Sequence, residues 1–341
     1  DTHNENLQFL LGLACIMKAV DDHADLLRCS ASCVGNESRL GAQEAPPAII
    51  SIFLGDQLDD VVAQIVSNSE SIKLLASGKL DSGVSTIPVL DKDGTDRNRT
   101  SPFAFTGNKF EFRMLGSAQS ISGPNVILNT AVAEELCQFA DMLEVADDFN
   151  AALTRLIKTT VQDHKRIIFN GNGYNDEWLA EAEKRGLYNF KTTPDCVPHY
   201  LDRKNVGLFT KHLVFTETEM HARYEIHLEN YCKVLNIEAL TMLDMVNKEI
   251  LPAVTGYIKE LCDAALTKRS LDAGISSEVE TSLAARLSAL SASTPPSGES
   301  TIIGSIDSAT MSENVPAEPV ASRTYMLTAK RSAPLPSSDE A

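Results

Sequence analysis

Apolar residues recur at helical spacing through most of the stretch from about residue 123 to residue 270, which leaves few fold classes open. Repeats of three and four residues place apolar side chains on one face of a helix, and that face must pack against another element. Pro252 is expected to interrupt the last helix, since proline lacks a backbone donor. The pattern predicts a mainly helical region, with helices near 124–146, 148–168, 175–185, 217–248 and 250–268.

The first 135 residues alternate between helical and extended patterns. Apolar spacing predicts a long helix over residues 4–28. A continuous apolar run over 48–55 predicts a buried strand, and a short helix is expected over 57–67. Residues 102–115 predict an antiparallel hairpin, because two extended runs flank a turn centred on Gly107. This region is therefore expected to combine helices with a small sheet.

The second arm of that hairpin alternates apolar and charged residues. Strand side chains alternate between faces, so Glu111 and Arg113 are expected on one face and Phe110 and Phe112 on the other, buried face. A carboxylate and a guanidinium on one face could line a cleft, with arginine suited to carboxylates and phosphates. The pattern alone favours a solvated, salt-bridged face. The hairpin is therefore a candidate site, but the pattern alone does not distinguish a functional cleft from a solvated, salt-bridged face.

Composition excludes some partners. The 341 residues carry a formal charge of −17, which argues against nucleic acid but not against a nucleotide. The best apolar run, residues 9–20, is too short for a membrane span. The seven cysteines are odd in number and irregularly spaced, which favours reduced thiols over a disulfide scaffold. At Cys29 and Cys33, buried thiols are favoured over a zinc site, which would need two more soft ligands, and none is evident. Beyond about residue 290 the Ser-, Pro- and Ala-rich composition predicts disorder.

Two further motifs have simple structural explanations. The run NGNGY at 170–174 lacks the lysine and hydroxyl residue of a phosphate-binding loop, so a turn before a helix is favoured over a phosphate cradle. His221 and Glu225 lie four residues apart, which fits a solvated helix face better than a metal site.

Several long segments resemble the type III glutamine synthetases. In the catalytic region these are RLGAQEAPPAIISIFLGDQL, DRNRTSPFAFTGNKFEFRM and GSAQSISGPNVILNTAVAEEL, and further on NGNGYNDEWLAEAEKRGL and RYEIHLENYCKVLNIEALTMLDM. The resemblance covers about residues 4–268. It implies an α+β fold: the antiparallel sheet portion of the catalytic domain over 1–147, a mainly helical C-terminal region over 148–290, and a disordered tail over 291–341.

The resemblance also implies a reaction in two steps. ATP phosphorylates the side-chain carboxylate of glutamate, and ammonia then displaces phosphate to give glutamine. Mg²⁺ (or Mn²⁺) and arginines would neutralise the transferring phosphoryl group. The implied partners are glutamate, ammonia, ATP and further copies of the chain in stacked hexameric rings, in the cytoplasm, or in an organelle if a transit peptide lies upstream.

The resemblance assigns roles to six residues. Arg39 and Arg113 match arginines that hold glutamate, and Glu44 matches the flap glutamate that helps to deprotonate ammonium. Arg99 matches the arginine that faces the transferred phosphate, with Arg97 as a weaker neighbouring candidate for nucleotide binding. Glu111 matches a metal ligand near the nucleotide phosphates.

The chain departs from the family in ways that bear on activity. The family's other metal-binding carboxylates and its metal-binding histidine fall upstream of the residues present, and one carboxylate cannot hold Mg²⁺ unaided. The chain also begins without Met. We therefore expect a fragment that is inactive alone. Two alternatives remain open: an inactive regulatory or binding subunit of the same fold, and a γ-glutamyl ligase that uses another amine.

Overall fold

The computed structural model describes residues 3–42, 45–67, 79–80, 90–91 and 100–292, and this part of the chain is mainly helical. Short 3₁₀ turns follow two of the helices, at Lys165–Ile167 and Val197–Leu201. The helices are α1 (His3–Asp22), α2 (Ala24–Ser30), α3 (Val34–Glu37), α4 (Asp56–Val66), α5 (Ser122–Glu144), α6 (Phe149–His164), α7 (Asp176–Lys184), α8 (Thr193–Cys196), α9 (Arg203–Lys211), α10 (Glu217–Met245), α11 (Leu251–Leu271) and α12 (Glu278–Ala292). The strands are β1 (Ile52–Phe53), β2 (Lys79–Leu80), β3 (Leu90–Asp91), β4 (Phe103–Phe105) and β5 (Phe110–Phe112).

The main core forms around α1, which packs against α5 and α6. Met17 and Val20 of α1 are fully buried, as are Ile127 of α5 and Ile157 of α6 to within a few per cent. Burying each such side chain stabilises the fold by roughly 1.5–3 kcal/mol. The predicted helices over 124–146 and 148–168 are confirmed, and their apolar faces meet in this core.

The prediction of one long helix over residues 4–28 is wrong in one respect: the structure has two helices there, α1 and α2, separated at His23. The backbone of His23 leaves helical geometry (φ −119°, ψ 27°), and its ring Nδ1 lies 3.1 Å from Asn205 Oδ1. A contact with a residue so distant in sequence competes with local helix propensity. Apolar spacing could not reveal it.

The sheet that carries the hairpin is mixed, which corrects the antiparallel sheet portion expected from the sequence. Its strand order is β1-β4-β5: β1 pairs with β4 in parallel, and β4 pairs with β5 antiparallel. A parallel pair needs a long connection, and about fifty residues, including α4, separate β1 from β4. The short strands β2 and β3 form a separate antiparallel pair.

The predicted hairpin over 102–115 is confirmed. Phe103 pairs with Phe112 and Phe105 with Phe110, and Gly107 takes a φ of 96° in the turn, where glycine carries no side-chain penalty. Phe110 and Phe112 are only half-buried rather than buried, because they lie at the margin of the core. Met114, on the same face, is fully buried.

The chain divides into two compact units, residues 1–228 and residues 229–341. In the second unit, α11 and α12 pack together, and Lys268 contacts Glu280. The predicted interruption of the α-helix near Pro252 is present as a π-helical turn at Val246–Ile250, directly before α11, and the proline lies in the first turn of α11. No described helix is both long and apolar enough to cross a membrane.

The predicted tail lies outside the described residues, except that 291–292 belong to α12. The predicted boundary at residue 147 stays a prediction.

Candidate functional site

The hairpin brings Glu111 and Arg113 together as neighbours on one strand face. Arg113 donates from Nε and Nη2 to Glu111 Oε2, over 3.2 Å and 3.1 Å. The Arg113 side chain is 15% exposed and that of Glu111 is 37% exposed. The expectation that these two residues share a face is confirmed, and a charged pair forms at the edge of the sheet.

Glu111 is held in its ionised form by two cations. Hydrogen bonds from Arg113 first, and then from Lys109, lower the pKa of the Glu111 carboxyl below its usual range. Lys109 Nζ lies 3.3 Å from Oε1, the oxygen that Arg113 does not contact in this pair. A carboxylate ionised at neutral pH is the form that binds a hard divalent cation.

Arg39, two residues beyond the end of α3, reaches the backbone that continues β5. Its Nη1 donates to the carbonyl oxygen of Met114 over 3.2 Å, and Met114 directly follows Arg113. The same Nη1 donates to Asn36 Oδ1 over 3.0 Å. The structure therefore joins the Arg39 guanidinium to the end of the strand that carries Arg113, although the two arginines are 74 positions apart in the sequence.

Sequence reasoning missed Asn36, which is 1% exposed. Its Nδ2 donates to the carbonyl oxygens of Ala31, at 2.6 Å, and Met114, at 3.0 Å. The only local signal is its spacing: a residue three positions before Arg39 can contact it across one helical turn. The link to Met114 follows from the fold alone.

Three of the six predicted site residues, Glu44, Arg97 and Arg99, lie outside the described residues. Their neighbours in the sequence meet at Gly173. A Cβ atom added at Gly173 would lie 2.5 Å from the Thr100 carbonyl oxygen and 3.2 Å from Pro46 Cβ. The chain next to Arg99 and the chain two residues after Glu44 thus approach the same point.

The NGNGY run is a turn, as predicted. It precedes α7, and Asn170 Oδ1 accepts from the backbone N–H groups of Leu54 and Gly55 just before α4. Gly173 supplies the clearance that Thr100 requires. His221 and Glu225 are both exposed on α10, which confirms the prediction of a solvated helix face.

Two clusters of potential metal ligands occur among the described residues, and Glu111 belongs to neither. One consists of Asp21, Asp22 and His164, and the other of Asp25, His199 and Asp202. Cationic side chains already contact both: Arg166 binds Asp21 at 3.0 Å, and Lys204 binds Asp25 at 2.9 Å. These carboxylates are satisfied by salt bridges, so neither cluster indicates a metal site.

Comparison with known proteins agrees with the resemblance seen in the sequence. Residues 152–269 match the family described as the glutamine synthetase C-terminal domain. The chain is 44% identical over 266 residues to a type-3 glutamine synthetase of Dictyostelium discoideum, an alignment that covers 77% of this chain and 36% of that protein. It is 42% identical over 269 residues to a glutamine synthetase of Butyrivibrio fibrisolvens (78% of this chain, 38% of that protein) and 38% identical over 264 residues to one of Bacteroides fragilis (76% and 36%). The chain spans little more than a third of the length of these relatives.

Proposed function

This chain belongs to the glutamine synthetase family, and we propose that it contributes the glutamate-binding arginines and one metal ligand to an ATP-dependent glutamate–ammonia ligase. The observation that carries the proposal is the convergence of Arg39 and Arg113 on one strand end, beside the ionised carboxylate of Glu111. Sequence identity to relatives named glutamine synthetase supports it.

Arg113 and Arg39 would hold glutamate. A guanidinium is a planar fork that binds a carboxylate through two parallel hydrogen bonds. Glu111 Oε2 accepts from the Nε and Nη2 edge of Arg113 and so fixes the plane of the fork. Arg39 is fixed at Nη1 by Asn36 and by the Met114 carbonyl. Both guanidinium groups are therefore oriented before substrate arrives, which lowers the entropic cost of binding.

Glu111 would contribute to holding Mg²⁺ or Mn²⁺. The donor fits, because the carboxylate is ionised and, within the part of the chain that the structure describes, one of its oxygens is bound by Lys109 alone, whose side chain is 66% exposed and can move aside. One carboxylate is not a complete site, so further ligands must come from other residues of the assembled enzyme. When bound, the ion would neutralise charge on the transferring phosphoryl group.

We also propose roles for three further residues, Glu44, Arg99 and Arg97. Glu44 would take a proton from ammonium, Arg99 would face the transferred phosphate, and Arg97 would contact the nucleotide. We also propose a homo-oligomer of stacked hexameric rings and a cytoplasmic location.

The proposed reaction balances in two displacements. A side-chain carboxylate oxygen of glutamate attacks the γ-phosphorus of ATP, the bond to the β-phosphate oxygen breaks, and ADP leaves with γ-glutamyl phosphate formed. Ammonia then attacks the acyl carbon, inorganic phosphate leaves, and the nitrogen loses its extra proton. The arginines orient glutamate for the first displacement, since positioning is the larger part of phosphoryl-transfer catalysis.

The test is product analysis of the complete synthetase that carries residues 1–341. With ATP, Mg²⁺, glutamate and ¹⁵N-ammonium, it should form labelled glutamine, ADP and phosphate in equal amounts. Faster turnover with an alkylamine than with ammonium would instead favour the γ-glutamyl ligase. No turnover with either nucleophile, together with a changed rate when residues 1–341 are added to a separate active synthetase, would favour the regulatory subunit.

A further inference from the structure

The amide of Asn36 has a fixed orientation. Both hydrogens of Nδ2 are used, by the carbonyl oxygens of Ala31 and Met114, and neither carbonyl can accept from Oδ1 if the amide is turned over. Oδ1 is therefore directed at Arg39 Nη1, 3.0 Å away. A buried amide with these three contacts has little freedom to rotate.

That orientation in turn fixes Arg39. Its Nη1 lies between two acceptors, Asn36 Oδ1 and the Met114 carbonyl oxygen. The backbone N–H of Arg39 also donates to the Asn36 carbonyl oxygen, over 3.2 Å. Arginine otherwise carries considerable rotamer entropy, which ordering by a substrate alone would have to offset.

Gly116 leaves room for this arrangement. A Cβ atom at Gly116 would lie 3.3 Å from Asn36 Oδ1 and 3.3 Å from Gln119 Oε1. The φ of Gly116 lies outside the left-handed region, so backbone strain does not explain the glycine. An alanine here would press on the oxygen that binds Arg39 without removing any hydrogen-bonding group.

We infer that Asn36 is a positioning residue for glutamate, because it holds the Arg39 guanidinium against the strand end that carries Arg113. The inference rests on the proposed function, since it assigns the positioned group to the glutamate site. Asn36 would touch neither substrate nor metal, and its effect would pass through Arg39. The expected consequence is a change in glutamate affinity, with turnover at saturation largely retained.

The test uses steady-state kinetics of the complete synthetase with Asn36→Leu, a change of similar size that removes all three amide contacts. The KM for glutamate should rise about ten-fold, as for the loss of one charged hydrogen bond, while kcat and the KM for ATP change less than about two-fold. An unchanged glutamate KM, or an equal rise in the KM for ATP, would overturn the inference. If Asn36→Leu does not fold, Gly116→Ala decides: a glutamate KM raised about three-fold supports the inference, and an unchanged one overturns it.

A matched control separates positioning from general destabilisation. Asn205 is also fully buried, and its side chain contacts His23, Asp25 and the His199 carbonyl, none of which belongs to the hairpin. Asn205→Leu should lower thermal stability as Asn36→Leu does, yet leave the glutamate KM unchanged; a rise equal to that of Asn36→Leu would overturn the inference. Arg39→Lys identifies which idea fails. If it leaves the glutamate KM unchanged, the proposed function is wrong; if it raises that KM and Asn36→Leu does not, only the inference is wrong.

Discussion

Arg28 on α2 offers a direct test of how the first compact unit is held together. The residue is 1% exposed, and its guanidinium donates to the Phe190 carbonyl oxygen at 2.8 Å, Ser32 Oγ at 2.7 Å and the Lys191 carbonyl oxygen at 3.3 Å. Arg28→Met keeps an unbranched side chain but leaves these acceptors without their donor. The variant should be destabilised because buried acceptors without partners are costly.

The magnitude follows from the two short hydrogen bonds. A hydrogen bond to a charged group contributes about 1.5–3 kcal/mol, so the pair is worth roughly 3–6 kcal/mol. Removing a buried guanidinium also removes its desolvation cost, which offsets part of that loss. We expect the free energy of unfolding to fall by about 2–4 kcal/mol.

Urea unfolding followed by tryptophan fluorescence measures this change in the first compact unit, residues 1–228, which contains both Arg28 and the tryptophan. The only tryptophan, Trp178, is 3% exposed and stacks on Phe169 with ring centroids 3.7 Å apart. The control is Arg203→Met at an exposed position of α9, which should change the free energy of unfolding by less than about 0.5 kcal/mol. A loss below about 1 kcal/mol for Arg28→Met would refute the reasoning.

Two further perturbations test other contacts of this unit. Burial acts to raise the pKa of Glu134, but hydrogen bonds led by that from Lys211 outweigh it and lower the pKa to about 2. The stabilisation this carboxylate provides is present above its ordinary pKa of 4.5 and is lost as the pH falls towards 2, so acid titration of urea stability should show roughly 1 kcal/mol less loss in Glu134→Gln than in the parent protein. Gly173→Ala should lower the unfolding free energy by about 1–3 kcal/mol, because the new Cβ would clash with the Thr100 carbonyl oxygen.

Both of these changes have internal controls. The Glu134→Gln comparison is made as a difference from the parent protein at each pH, so titration of the remaining carboxylates cancels; parallel curves from pH 5 to pH 2 would contradict the assignment. For the glycine, Gly207 lies on α9 with nothing within 4 Å of a built Cβ. Gly207→Ala should raise stability by about 0.5–1 kcal/mol, and a similar gain at Gly173 would contradict the predicted clash.

Some elements were predictable from the sequence and others were not, and length alone does not separate them: the short hairpin was predicted, and the 15-residue α12 was not. The helices α5, α6 and α7 follow their apolar spacing to within a few residues. The helix α8 was missed because four residues carry too little periodicity, and α9 was missed although it is as long as α7. A usable signal did precede α8: Thr192 and Asp195 form a capping box, with Pro194 between them in the first turn.

In the candidate site, too, one relation between residues was predictable from the sequence and others were not. Alternation along β5 was enough to place Glu111 and Arg113 on one face, because that relation is local. The link from Arg39 to Met114 joins residues 75 positions apart, and the parallel pairing of β1 with β4 joins strands about fifty residues apart. Neither has a local cause. Both follow from packing of distant segments, which a single sequence does not encode in its spacing.

The central claim is that two residues of the hairpin bind different ligands: Glu111 binds the metal ion, and Arg113 binds glutamate. Steady-state kinetics of the complete synthetase, with Mg²⁺ and glutamate varied independently, test it most directly. Glu111→Ala should chiefly raise the Mg²⁺ requirement and suppress phosphoryl transfer. Arg113→Lys keeps the charge but cannot form the two contacts with Glu111 Oε2, so kcat/KM for glutamate should fall roughly ten- to hundred-fold. Unchanged glutamate dependence in Arg113→Lys, together with unchanged Mg²⁺ dependence in Glu111→Ala, would contradict the account.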